Sequence, residues 1–342
     1  MKAKDTVRVA AIDCGTNSIR LLIADAQQPG NSKDANTPVP GLHDVVREMV
    51  ITRLGQDVDR TGVLAPSAVE RTLAVAEQYQ EQIEALGASR ARFVATSASR
   101  DAKNRATFVE GVRRITGLEP EVISGKEEAH LSFLGALSSV PSGLEGPYMV
   151  IDIGGGSTEF VLGDLAATSD GEKGDPQVLR STSLDMGSVR VTERFGPEPW
   201  TAQRLAAARR WIDERLEGVD FTGVNTMVGV AGTVTSIAAF IAGVHQYTPS
   251  LTHGMIPTPE QWASSLQFMI EAPVEEKAAL GFMPPGRADV IGGGALVLER
   301  ILLRVGVLEE DEEGQILPGD SSLLVVVSEH DILDGLALSL AD

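Results

Sequence analysis

At 342 residues with 43% apolar content, the chain has room for two domains with full cores. Its 29 basic and 48 acidic side chains leave a formal charge of −19. That argues against general nucleic-acid or membrane-surface binding, and a polyanionic ligand would need a local basic patch.

The single cysteine, Cys14, excludes an intramolecular disulfide and fits a reducing, cytoplasmic compartment. It reads as a small buried residue. The charged N-terminus, MKAKDTVRVAAID, has no apolar run of the signal-peptide kind.

Residues 9–25, VAAIDCGTNSIRLLIAD, read as strand, tight turn, strand. Residues 27–41 form a polar, Pro- and Gly-rich tip, followed by a strand over 45–54 and a loop over 55–62. A helix is predicted over 66–86, with Pro66 at its start and an apolar stripe of Val69, Leu73, Ala76, Ile83 and Leu86. Next come a short strand over 92–95, a helix over 103–116 closed by Gly117, a strand over 121–123 and a helix over 126–137.

Residues 148–164, YMVIDIGGGSTEFVLGD, repeat the grammar of the first hairpin. Asp13, Gly15, Ser18 and Asp25 match Asp152, Gly154, Ser157 and Asp164, so the spacing D-x-G-x-x-S is kept and suggests an internal duplication. Successive glycines let the backbone approach a ligand closely, and their N–H groups can form an anion-binding nest. Asp13 and Asp152 enter the turns where a carboxylate could hold a metal ion or its water, although Asx-turn formation would use the same residues.

A second polar tip over 165–177 leads to a strand over 178–185 and a helix over 199–216. A strand over 227–230 runs into a third glycine turn, VGVAGT at 228–233, and a helix over 233–244. The uncharged stretch 221–244 holds too many polar and glycine residues to read as a membrane span. Helices over 258–269 and at the end of 284–305, an acidic loop over 308–320, a strand over 323–327 and a final helix over 331–340 complete an α/β alternation. Domain boundaries are expected at 1–140 and 141–327, with the segment 328–342 packing back on the first domain.

The five histidines show no ligand spacing, and no zinc site is assigned. Over 90–114 seven basic residues face only Asp101 and Glu110. This is either a solvated face or a track for a phosphate chain, which Arg20, Arg190 and Arg287 could extend.

The two hairpins and the third turn, together with ATSASRDAKNR at 95–105 and EVISGKEEAHLSFLGAL at 121–137, resemble the exopolyphosphatase / guanosine pentaphosphate phosphohydrolase family. The resemblance spans nearly the whole chain. It implies two ribonuclease H-like α/β domains of the actin, sugar kinase and heat-shock ATPase superfamily, with an interdomain cleft. By matching motif, Asp13, Gly15, Asn17 and Ser18 resemble a first phosphate loop, and Asp152, Gly154, Gly155, Gly156 and Ser157 a second. Glu128 aligns with the family's catalytic base, and Arg100 with a phosphate-contacting arginine. Glu159 aligns with a carboxylate near metal and water, and Gly232 and Thr233 match the third turn.

The implied activity is Mg²⁺-dependent release of terminal phosphate from inorganic polyphosphate, with guanosine pentaphosphate as a further substrate and Mn²⁺ as an alternative metal. Asp13 and Asp152 would be the metal carboxylates. Larger family members carry a further helical region that this sequence does not, from which a preference for short chains is expected. A homodimer stays open at this point. So do two other readings: an acceptor-dependent ATP kinase of the same superfamily, and a non-catalytic polyphosphate- or nucleotide-binding sensor.

Overall fold

A computed structural model describes residues 6–27, 41–167 and 173–341. Residues 28–40 and 168–172, the centres of the two predicted polar tips, lie outside the described residues. The chain divides into two compact units, Met1–Ser139 with His330–Asp342, and Val140–Glu329.

In the first unit, β1 (Thr6–Cys14) and β2 (Ser18–Gln27) form an antiparallel hairpin, and β3 (Leu42–Ile51) adds an antiparallel edge. A single helical turn, α1 (Val58–Thr61), stands where a loop was expected. Then come α2 (Pro66–Leu86), β4 (Arg90–Ala95), α3 (Ser97–Asp101), α4 (Arg105–Thr116), β5 (Glu121–Val122) and α5 (Gly125–Leu137). The sheet order is β3-β2-β1-β4-β5, with β4 and β5 parallel to β1.

Central strand β1 is buried on both faces, which is why Val9, Ala10, Ala11 and Ile12 read as a continuous apolar run. Ala10 and Ile12 join a core with Val69, Ala76, Phe108 and Val112 of α2 and α4. Val9 and Ala11 face the other way, onto Leu131 of α5 and Ile332, Leu333, Leu336 and Ala337 of the chain's last helix. Each large side chain so buried contributes about 1.5–3 kcal/mol. Helix α2 begins with Pro66 at its first position and ends at Gly87, whose left-handed φ of 70° lets its N–H bond the Glu84 carbonyl.

The second unit repeats the plan. β6 (Tyr148–Ile153), β7 (Thr158–Ala167) and β8 (Lys173–Leu184) are antiparallel neighbours. They are followed by α6 (Ser188–Phe195), α7 (Ala202–Leu216), β9 (Thr226–Val230), α8 (Ala231–Ile241), α9 (Pro249–Thr252), α10 (Pro259–Glu271), α11 (Val274–Ala278) and α12 (Ile291–Arg304). The predicted acidic loop over 308–320 is instead a small hairpin of β10 (Leu308–Glu310) and β11 (Ile316–Pro318), anchored by buried Leu308. β12 (Leu324–Val327) closes the second sheet in the order β12-β9-β6-β7-β8, and α13 (Ile332–Leu338) returns to the first unit.

Read from β8, the second sheet has the order of the first: three antiparallel strands, then two parallel ones. This is the ribonuclease H-like arrangement, present twice. Among the described residues no helix is long and apolar enough to cross a membrane.

Candidate active site

In an open α/β sheet ligands bind at the carboxyl ends of the parallel strands. In the first unit those ends carry most of the residues singled out from sequence. The β1–β2 turn closes with Gly15 N–H donating to the Ser18 carbonyl at 2.9 Å. The Thr16 carbonyl accepts from Gly55 N–H, and the Asn17 carbonyl from Thr52 and Arg53 N–H, at 2.8–3.0 Å. A trans peptide points its N–H opposite to its carbonyl, so the Asn17 and Ser18 N–H groups face away from this support. Arg53 holds a left-handed φ of 53° to make it, a conformation that costs a non-glycine residue about 1–3 kcal/mol and recurs at functional sites.

Beside the turn, Thr96 N–H donates to the Cys14 carbonyl at 3.1 Å and so brings α3 to the end of β1. Six buried polar atoms on these segments have no hydrogen-bond partner: Asp13 Oδ1, Thr16 Oγ1, Asn17 Oδ1, Thr52 Oγ1, Ser97 Oγ and Ser99 Oγ. Such atoms are rare in folded proteins, and their gathering at strand ends marks a place built to receive a polar ligand, water or an ion. The motif spacing singled out Asp13, and the family resemblance added Asn17. Thr16, Thr52, Ser97 and Ser99 were missed, because hydroxyl residues near a strand end are commonplace in sequence.

Glu128 projects from the first turn of α5, a helix begun by the Ser124 hydroxyl accepting from Glu127 N–H at 3.2 Å. The Arg100 guanidinium at the end of α3 donates to Glu128 Oε2 at 2.6 Å and to the Ile123 carbonyl at 3.1 Å. Burial pushes the Glu128 carboxyl above the usual range; Arg100 and the Thr96 hydroxyl pull it down, and the Asp13 charge pushes it up. Burial also raises Asp13, against the Arg20 guanidinium. The Cys14 thiol is pushed well up by burial, as suits an inert packing residue.

Three of the seven basic residues in the predicted track over 90–114 are committed to local acids. Arg92 pairs with Glu121 and Glu127, Arg113 with Glu119, and Arg100 with Glu128. These partners follow the basic run in sequence and fold back beside it.

In the second unit the β6–β7 turn closes in the same way, Gly154 N–H to the Ser157 carbonyl at 3.0 Å. Its support is helix α6. The Gly154 carbonyl accepts from Ser188 N–H, the Gly155 carbonyl from Val189 and Arg190 N–H, all at 2.9–3.1 Å, and the Gly156 carbonyl from Arg190 Nε at 2.7 Å. With three successive carbonyls taken on one side, the N–H groups of Gly155, Gly156 and Ser157 point to the other, the arrangement of an anion nest. Gly187 makes this approach possible. A Cβ there would lie 2.6 Å from the Gly155 backbone, with no flexible atom to yield. Neither Gly187 nor the α6 contact is visible in local sequence.

Asp152 and Glu159 are cross-strand partners in this hairpin, and both are buried. Ser183 Oγ on β8 donates to Glu159 Oε1 at 2.8 Å. The third turn joins β9 to α8. Ala231 there adopts a left-handed φ of 67°, Gly232 lies under the Arg287 guanidinium, and Thr233 is buried. Arg287 Nη1 also donates to Ser236 Oγ at 3.1 Å. Thus Asp13, Gly15, Asn17, Ser18, Arg100 and Glu128 belong to the first unit, and Asp152, Gly154–Ser157, Glu159, Gly232 and Thr233 to the second. A cavity of about 1030 Å³ in the second unit lies at the opposite end of its sheet, lined by Glu145, Thr226 and Arg304 among others, away from the glycine turn.

A model of the Ppx/GppA phosphatase family matches residues 31–310. The chain belongs to the Ppx/GppA phosphatase family. It is 43% identical over 344 residues to exopolyphosphatase 2 of Mycobacterium tuberculosis, covering 98% of each chain. A crystallised exopolyphosphatase-like protein is 39% identical with a TM-score of 0.83, covering 98% of each chain. The crystallised Ppx/GppA family member of Aquifex aeolicus is 31% identical with a TM-score of 0.72, covering 98% of this chain and 97% of its own. This Ppx/GppA chain is thus an enzyme of a phosphatase family, and the identity extends across both units rather than one motif.

Proposed function

We propose that this Ppx/GppA protein is a Mg²⁺-dependent exopolyphosphatase that releases terminal orthophosphate from inorganic polyphosphate, short chains above long ones. Guanosine pentaphosphate is a second substrate of the same chemistry, and the compartment is the cytoplasm. The observation that carries the reading is the half-buried Glu128–Arg100 pair beside an Asp13 oxygen that has no hydrogen-bond partner. Relatives named exopolyphosphatase support the substrate class.

In this reading the oxygen of a water attacks the terminal phosphorus in line. The P–O bond to the bridging oxygen breaks, the chain leaves shortened by one phosphate, and orthophosphate is released. Glu128 orients the water and accepts its proton, and the raised basicity that burial confers suits that role. Arg100 holds Glu128 in the resting protein and turns to the anionic chain when it binds. The glycine turns grip phosphoryl oxygens through N–H groups, with Gly15, Asn17 and Ser18 in the first and Gly154 to Ser157 in the second. Glu159, held by Ser183, orients the Asp152 side of its hairpin, and Gly232 and Thr233 serve the far end of a bound chain.

The residues fit a hard divalent cation: Asp13 Oδ1 is buried without a partner, and Asp152 stands at the same position of the repeated turn. At such a carboxylate Mg²⁺ would supply charge neutralisation on the phosphoryl oxygens, and Mn²⁺ could replace it.

The test is phosphate release measured with Mg²⁺ on short polyphosphate, long polyphosphate and guanosine pentaphosphate side by side. Release from the short chain above the others supports the reading. Release from none of the three overturns it.

A further inference from the structure

Helix α12 carries three consecutive glycines in its first turn, Gly292, Gly293 and Gly294. Only proline is a poorer helix former than glycine, and none of the three takes a positive φ. Neither helix propensity nor backbone conformation therefore calls for glycine here. Close contact does. A Cβ on Gly293 would lie 2.5 Å from the Ser188 carbonyl oxygen and 2.6 Å from Thr192 Oγ1, both on α6. A Cβ on Gly294 would lie 2.4 Å from Thr233 Oγ1 and 2.6 Å from Thr233 Cγ2, at the third turn.

The two contacts lead to different glycine turns. Ser188 joins α12 to the second: its N–H donates to the Gly154 carbonyl at 2.9 Å, and its own carbonyl oxygen faces Gly293 while accepting from the Thr192 hydroxyl at 2.8 Å. Thr233 joins α12 to the third, and Arg287, in the segment that leads into α12, lies against Gly232 of that turn. The helix between them is fixed on other sides as well. Gly292 packs against Glu198 and the Met269 carbonyl, both bound by the fully buried Lys277 ammonium. Farther along, Glu299 is forked by Arg209 of α7, and Arg300 forks Asp213 of α7.

We infer that Gly293 and Gly294 are positioning residues of the active site: through them α12 sets the separation of the second and third glycine turns, and so how a polyphosphate chain long enough to span both is held. This rests on the reading that both turns grip one phosphate chain. A side chain at Gly293 pushes on backbone and displaces the support of the second turn, which every substrate meets. A side chain at Gly294 displaces Thr233, which only a longer chain reaches.

The test is KM with Mg²⁺ on polyphosphates of increasing length, from tripolyphosphate upward, with Tm recorded alongside. Gly294→Ala is expected to leave KM within about twofold on the shortest chain and to raise it at least about fivefold on the longest. Gly293→Ala is expected to raise KM by at least about fivefold at every length. Thr233→Ser removes the methyl that a Gly294 side chain would strike and keeps the hydroxyl. Combined with Gly294→Ala, it is expected to restore part of the long-chain KM. A general loss of packing would instead lower Tm and alter every length alike. A length-independent or absent change in Gly294→Ala, or an unchanged KM in Gly293→Ala, overturns the inference. If either alanine variant does not fold, the contact is loosened from its other side, by Thr233→Ser or by Thr192→Ala, and read by the same criteria. No phosphate release by the unaltered protein sinks the proposed function and the inference with it. Release by the unaltered protein with a length-independent effect of Gly294→Ala sinks the positioning role alone.

Discussion

The turns at Gly15 and Gly154 share a sequence frame, a closing hydrogen bond and a place at the end of a central strand, yet they expose different chemistry. The first is supported by Thr52–Gly55 and surrounded by side-chain oxygens without partners, next to the half-buried Glu128. The second is supported by helix α6, which consumes three carbonyls and turns three consecutive N–H groups outward. The cross-strand partner of the aspartate differs too, Arg20 in one and Glu159 in the other. A duplicated loop has therefore diverged in what holds it rather than in its own spacing. In the proposed reading both copies grip phosphate and carry a cation-binding aspartate, and the surroundings of the first add the proton acceptor Glu128.

That contrast can be broken by substitution. The largest effect is expected from Glu128→Gln, which keeps the shape and the Arg100 contact but cannot accept a proton. Turnover on short polyphosphate should fall by about 10²–10⁴, with substrate affinity nearly unchanged. Steady-state kinetics with an equilibrium binding measurement reads both numbers. Gly187→Ala should come next. Its Cβ meets backbone that cannot yield, and overpacking of about 1–3 kcal/mol would fall on the second turn, raising KM by roughly 5- to 100-fold. An unchanged KM would mean that α6 does not shape the phosphate grip.

Arg190→Ala removes one donor to the Gly156 carbonyl, and a loss of about 1 kcal/mol, near fivefold in KM, is expected. The smallest effect is a displaced pH profile. Only ionised Glu128 can take the proton, so kcat/KM, which reports the free enzyme, rises as pH passes its pKa. Burial raises that pKa, so the acid limb should lie above the ordinary glutamate range. Arg100 works in the opposite direction, and Arg100→Met should therefore move the limb to still higher pH; a limb that moves down would contradict the pairing.

The repeated D-x-G-x-x-S frame was legible because a tight turn approaching an anion restricts its own residues, and the restriction is local. Helix α2 was legible to the residue because Pro66 marks its start and the apolar stripe from Val69 to Leu86 marks its length. What could not be read was support arriving from elsewhere in the chain. Gly187 looks like any loop glycine until its contact with Gly155 is seen, and Asp331 looks like a helix cap until Arg20 reaches it. The basic run over 90–114 looked available because Glu119, Glu121, Glu127 and Glu128, which neutralise part of it, lie just beyond. The acidic stretch over 308–320 looked like a loop because its charges hide two three-residue strands.

The most direct test of the division between the two turns is the kcat and KM of Glu128→Gln and Gly187→Ala on one short polyphosphate with Mg²⁺, measured against the unaltered protein. The account predicts a loss confined to kcat in the first variant and to KM in the second. The same parameter moving in both, or kcat unchanged in Glu128→Gln, would contradict it.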